Sequence, residues 1–309
     1  MKSKKTAAAW MRKGPPRKIK TTLGDRVFHA VNNTVMILLA LVMVYPVYYV
    51  LIASLSSAQQ LITHRGFLLL PIAPTFAAYE MAFQNPLLLR SYGNTLFVVA
   101  AGVAVNLVLT TIGAYFLSRK QVKLQKPIMI MIVITMFFSG GMIPFYFAVK
   151  DLGLDGSLWA LIFPSAISTF NLIIMKTSFL SIPDSMEESA RLDGAGHITI
   201  LTRVILPLSK ATLAVIGLYY AVSHWNAWFH AMLFLKEREQ FPLQLLLREI
   251  LIQNNVSDMA DGTNYSELGF ISETIKYAVI IIATLPILCV YPFIQKYFTK
   301  GVMIGAVKG

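Results

Sequence analysis

The sequence predicts an all-α membrane protein of six transmembrane helices with both termini in the cytoplasm. Composition, hydropathy and the placement of basic residues carry that expectation. Of 309 residues, 56% are hydrophobic and only 14% charged, and the mean hydropathy is +0.63. Soluble domains carry about 45–50% apolar and about 25% charged residues. A solvated surface cannot be built from half the usual charge, which excludes an ordinary soluble enzyme, a disordered chain and a disulfide scaffold. A single cysteine, Cys289, allows no intrachain disulfide and no cysteine-based zinc site.

A spanning helix needs about 20 mostly apolar residues. Six stretches qualify: Val35–Ala53, Thr95–Leu117, Ile128–Val149, Leu158–Met175, Ala211–Leu235 and Tyr277–Tyr297. The first could be mistaken for a signal peptide, but its basic leader and apolar stretch are both too long, so it reads as a retained helix. Lys and Arg then fall unevenly on the connections. Twenty lie in the N-terminal tail, the second and fourth loops and the C-terminal end from Lys296 onward, against seven in the other three loops. The positive-inside rule places the twenty in the cytoplasm.

The organisation that follows is a basic cytoplasmic tail (1–30), a six-helix domain (31–300) and a cytoplasmic C-terminal tail (301–309). The net charge of +12 would elsewhere suggest nucleic acid. Its confinement to one side of the membrane argues against that, and the tail is suited to anionic lipid. Two connections of about forty residues, 54–94 and 236–276, are expected outside, and one of thirty-five, 176–210, inside. Structureless loops of that length are usually functional.

The inner loop is the most informative segment. From Pro183 and Asp184 a short helix is expected to about Asp193, with a capping box at Ser185 and Glu188. Gly194 and Gly196 stop it. A second short helix follows over about 198–205, and Pro207 marks a kink into the fifth span. Small and acidic residues would thus stand on a helix–turn–helix at the membrane face, suited either to force transmission to a soluble partner or to resting on lipid.

The spacing within this loop resembles the EAA loop of ABC-importer permeases. That pattern is Glu-Ala-Ala, three residues, Gly, nine residues, Ile, one residue, Leu-Pro. Here Glu188-Ser189-Ala190, Gly194, Val204 and Leu206-Pro207 stand at the matching positions, with two conservative departures. Thr135–Pro144, His224–Phe229, Pro242–Leu245 and Gly305–Gly309 are similar to the carbohydrate-uptake branch, the maltose-type inner-membrane component. Within it they resemble the subgroup serving complex oligosaccharides in lipoprotein-dependent systems. The basic arm before Trp10 has no counterpart in the resemblance.

The resemblance implies a MetI-like permease fold in the bacterial inner (cytoplasmic) membrane, multi-pass. It implies that Glu187, Glu188, Ser189, Ala190, Asp193, Gly194 and Ala195, with Pro207, form the loop that couples to the ATPase. The implied partners are a second permease subunit, expected to be a paralogue, and two copies of an ABC ATPase. To these it adds an extracellular or periplasmic substrate-binding protein delivering an oligosaccharide onto the outer loops. ATP and Mg would reside on the partner ATPase, and no cofactor is expected on this chain, which lacks a G-x-x-x-x-G-K-[ST] phosphate cradle.

Asn171, Trp225, Asn226 and Trp228 lie in or near spans. They are candidates for the translocation pathway, because polar groups in spans face a bundle interior or a water-filled path and aromatic faces suit sugar rings. Interhelical packing explains the same residues. His224 and His230 are six apart and share no helix face, so no metal site is expected. Ser139, Gly140, Gly141 and Pro144 fit close packing or a kink, and Cys289 a place in the core. A rival reading, an ion-coupled secondary transporter, calls for intramembrane charges, and apart from Lys296 at the very end of the sixth the spans contain no Asp, Glu, Lys or Arg. An intramembrane enzyme would need a carboxylate pair within the spans, H-E-x-x-H or G-x-S-x-G, none of which occurs.

Overall fold

A computed structural model describes residues 22–119, 122–253, 274–290 and 292. The basic arm to residue 21, Lys120, the acidic stretch 254–273, most of the chain after Val290 and the Gly305–Gly309 motif lie outside the described residues. Two compact units divide the chain, Met1–Tyr49 and Val50–Gly309.

Most of helix α1 (Leu23–Ser54) belongs to the first unit, and it is long and apolar enough to cross a bilayer by itself. Its start is held by a reciprocal pair. The Thr22 amide donates to Asp25 Oδ2 at 2.8 Å and the Asp25 amide to Thr22 Oγ1 at 3.2 Å. This satisfies amides that the first turn leaves without partners.

In the second unit the loop expected over 54–94 is structured. It contains α2 (Ala58–Thr63) and α3 (Ala77–Gln84), and α4 (Pro86–Ser118) begins nine residues before the expected span. Asn85 caps α4, accepting the Leu87 amide at 2.8 Å, and Pro86 fills the first turn, where its missing N–H is not needed. α4 is the second helix long enough to span alone.

Three expected spans are broken, which corrects their reading as single helices. α5 (Gln125–Phe137) and α6 (Met142–Asp151) meet at 119°. Gly141 joins them at φ +87°, a conformation that side chains other than glycine's rarely adopt. The fourth consists of 3₁₀ turns over Leu158–Ser165, bent by 50° from α7 (Thr169–Leu180), with Pro164 at the start of the second turn. The fifth enters through α9 (His197–Ile200), a π-helical turn (Leu201–Ile205) and α10 (Leu206–Leu208). It bends by 86° into α11 (Lys210–Trp225).

Beyond Trp225 the fifth span does not continue to Leu235 as expected. Asn226 Nδ2 donates to the Val222 carbonyl at 2.8 Å and ends the helix, and α12 (Phe229–Phe234) is a separate turn. α13 (Leu243–Gln253) and the apolar helix α14 (Thr274–Val290) follow.

α4, α7 and α11 form the centre. Ala114, Leu172, Met175, Phe179, Ile216 and Tyr220 share one buried cluster, onto which Ile200 and Ile205 also pack. Where helices meet, small residues let the backbones approach. A Cβ on Gly113 would sit 3.2 Å from Leu172, and one on Gly217 would sit 3.4 Å from Leu107. A second cluster joins Leu88, Trp225, Leu243, Leu246 and Ala278. Cys289, expected in the core, is exposed on α14.

Candidate functional site

The 176–210 loop folds as α8 (Asp184–Leu192), a turn and α9. The helix expected from Asp184 forms, but without its capping box. Pro183 occupies the N-cap and supplies no side-chain bond, so Ser185 lies inside the helix. The stop at Gly194 is a Schellman motif. The Ala195 amide donates to the Ala190 carbonyl at 2.9 Å and the Gly194 amide to the Arg191 carbonyl at 3.0 Å, with Gly194 at φ +81°.

Two faces of this loop differ. Ala190 and Ala195 pack towards the central cluster with Ile182. Glu188, Ser189, Asp193, Gly194 and Pro207 are exposed. Glu187 turns inward instead. Its carboxylate pairs with Arg119, at the end of α4, and with Arg191, 2.8 Å away on the same helix. Arg119 also donates to Ser118 Oγ through Nε and Nη2 and lies 4.8 Å over the Tyr115 ring. The Tyr115 hydroxyl meets His197 Nδ1 at 3.2 Å. α4 therefore holds both helices of the loop, one on either side of Gly194.

Sequence reasoning missed three members of the exposed face. Met186, Leu192 and Ile198 are 46%, 90% and 80% exposed, apolar side chains in an otherwise polar loop. The signal for them was an apolar residue out of register with the buried face of a short helix. Together with the exposed acids and small residues they form a surface suited to a protein cleft.

The other candidates separate. Asn171 is buried near the start of α7 and lines a cavity with Asn106 and His224. Trp225 is buried in the second cluster, and its indole N–H has no hydrogen-bond partner among the described residues. Asn226 caps α11. Trp228 is 37% exposed, lies under the Arg248 guanidinium at 4.5 Å and lines a second cavity with Gln244 and Thr284. His224 meets Asn106, whereas His230 lies against Phe145 and Phe234.

At the opposite end of α4, the 236–253 segment is tied down by polar contacts. Asn94 Nδ2 donates to the Glu239 carbonyl at 2.8 Å, the Leu243 amide donates to Thr95 Oγ1 at 2.8 Å, and Arg90 pairs with Glu239. Lys236 reaches Asp155 at 2.7 Å.

Residues 110–304 match the family model described as the binding-protein-dependent transport system inner membrane component. The chain belongs to this family. The match runs from the second half of α4 through the α8–α9 loop and beyond α14. The polygalacturonan/rhamnogalacturonan transport system permease protein YtcP of Bacillus subtilis is 41% identical over 290 residues, covering 92% of this chain and 99% of YtcP. Protein LplC of the same organism is 41% identical over 288 residues, covering 93% and 97%.

One chain in the crystal structure of a bacterial ABC transporter involved in the import of the acidic polysaccharide alginate is also similar. It superposes with a TM-score of 0.83 at 36% identity, covering 90% of this chain and 99% of that one. The protein is thus an ABC-importer permease subunit, a non-catalytic, multi-pass membrane component. ATP hydrolysis belongs to a separate protein.

Proposed function

We propose that this permease forms half of the translocation pathway for an oligosaccharide, delivered by an extracellular or periplasmic binding protein and driven by two copies of an ABC ATPase. An acidic oligosaccharide is the favoured class. YtcP is named for polygalacturonan and rhamnogalacturonan, and the superposable chain belongs to a transporter of alginate. The other half of the pathway is a second, paralogous permease subunit.

In this reading the chain crosses the membrane six times. α1, α4, the three bent pairs and the segment containing α14 supply the spans, and both termini lie in the cytoplasm, where twenty of the basic residues gather. The domain organisation stays as the sequence suggests: tail 1–30, membrane domain 31–300, tail 301–309. The outer loops 54–94 and 236–276 receive the binding protein. Glu188, Ser189, Asp193 and Gly194, with Met186, Leu192 and Ile198, meet the ATPase. Glu187, Ala190 and Ala195 fix that surface to the bundle, and Pro207 sets its angle to α11. Asn171 and Trp228 face the pathway, while Trp225 and Asn226 shape it from behind.

The observation that carries the mechanism is the double attachment of the loop to α4. When the ATPase subunits close, a loop pinned on both sides of its turn moves the spans rather than flexing. Substrate crosses because its affinity differs between outward- and inward-facing states. Reconstitution of the four components tests this. Uptake of acidic oligosaccharide that requires ATP, and that is lost in Gly194→Asp with Glu188→Lys while the complex stays assembled, is the expected result. Uptake by this chain alone without ATP would overturn the reading.

A further inference from the structure

A cavity of about 350 Å³ lies between α4, the break before α7 and α11. Asn106, Ser168, Asn171 and Ser223 supply polar groups, and the rings of Phe170 and Tyr219, 6.4 Å apart, stand beside them. No Asp, Glu, Lys or Arg lines it among the described residues. Its volume falls at the lower end of the roughly 300–1,000 Å³ of small-molecule sites.

Asn106 brings an unpaired acceptor to this cavity. It is 1% exposed, and Nδ2 donates to His224 Nε2 at 3.2 Å and to the Ser165 carbonyl at 3.5 Å. Its Oδ1 has no partner among the described residues, an exception for a buried amide that calls for an explanation.

The break in the fourth span points to the same place. Non-helical backbone at membrane depth is tolerated where it is buried in protein or lines a water-filled cavity, and transporter sites are commonly built at discontinuous helices. Here the break is held in a defined shape. The Ser168 amide donates to the Tyr220 hydroxyl at 2.9 Å, and Tyr220 meets Thr110 at 2.7 Å. Ser223 and Phe170 are exposed at the mouth, so the cavity opens outward from the helices.

We propose that this cavity is a subsite for the uncharged face of a sugar unit, an inference that rests on the oligosaccharide-import reading above. Asn106 Oδ1 accepts from a sugar hydroxyl, Ser223 and Asn171 exchange hydrogen bonds with neighbouring hydroxyls, and Phe170 and Tyr219 cover the C–H face. Lacking a cation, the subsite does not read carboxylates. It binds acidic and neutral units alike, and discrimination by charge falls to other parts of the transporter.

The test uses the complete four-component transporter in proteoliposomes, with trigalacturonate and maltotriose as probes. Asn106→Ala should raise the uptake KM about tenfold, the scale of one hydrogen bond, by the same factor for every probe the wild type transports. In a Cys289→Ser background, Ser223→Cys should be modified several-fold more slowly by a thiol reagent when a transported probe is present, with Ser181→Cys, exposed at the end of α7 and outside the cavity lining, unprotected. The second measurement holds even if Asn106→Ala fails to assemble. An unchanged KM, or no protection of Ser223→Cys in a transporter that imports a probe, overturns the subsite. A wild-type transporter that imports neither probe with ATP overturns the oligosaccharide reading itself, a distinguishable result.

Discussion

The Arg119 guanidinium and the Glu187 carboxylate form an ion pair that ties the end of α4 to the first helix of the α8–α9 loop. Both side chains are only 13% exposed. One of the two adjacent glutamates in the loop is therefore committed to the permease itself, which leaves Glu188 facing outward.

Breaking one side of this pair should loosen the loop from the bundle. Removing one partner of a buried pair costs about 3–5 kcal/mol, and residual solvent access here argues for the lower end. Arg119→Glu is expected to leave ATPase subunits bound but to lower sugar uptake per ATP hydrolysed. Adding Glu187→Arg should recover much of the coupling. Equal losses in the single and double variants would show that the pair transmits nothing.

Gly194 is held at φ +81° by the Schellman motif. A side chain with a Cβ costs roughly 1–2 kcal/mol in the left-handed region, while asparagine is tolerated there. Gly194→Val should reduce recovery of the ATPase with the purified permease, and Gly194→Asn should not. The open space around Gly194 means that neither side chain crowds anything within this chain, and the polar Asn, which is close in size to Val, controls for bulk at the proposed ATPase contact.

Gly102 lies against His224, where an added Cβ would come within 2.5 Å of Nε2. Overpacking of this kind costs about 1–3 kcal/mol. Gly102→Ala should lower the melting temperature in detergent, and His224→Ala in the same chain should offset much of the loss. Gly93→Ala, on the same helix with nothing within 4 Å, should be neutral or slightly stabilising. A Gly102→Ala protein that melts like the wild type would refute the close approach of α4 and α11.

The hydrogen bond and charge of Asp155 raise the Lys236 pKa above its ordinary value of 10.5. A raised ammonium pKa contributes stability that is fully present below 10.5 and lost as pH rises through the folded-state value. Thermal unfolding of wild type and Lys236→Met should therefore differ slightly near pH 8 and converge in strong alkali. A gap that persists or widens there would contradict the assignment. The effect is small because Lys236 is solvated.

What the sequence by itself determined is the solvent and the stopping points. Depleted charge and six apolar stretches require a bilayer environment, and local chemistry specified α8 and its end, since Gly194 needs only its own backbone freedom. Spacing within twenty residues likewise carried the resemblance of the α8–α9 loop. The breaks in three spans were hidden, because hydropathy reports apolar content and is blind to direction. Phe137 and Met142 are equally apolar on either side of a 119° bend. Only the tertiary structure decided which carboxylate points where. Glu187 and Glu188 are adjacent in sequence, yet one faces Arg119, sixty-eight positions earlier, and the other faces outward. That choice depends on where α4 ends beside α8. The cavity likewise draws Asn106 from α4, Ser168 from the break before α7 and Ser223 from α11, and no periodicity within any one segment could have brought the three together.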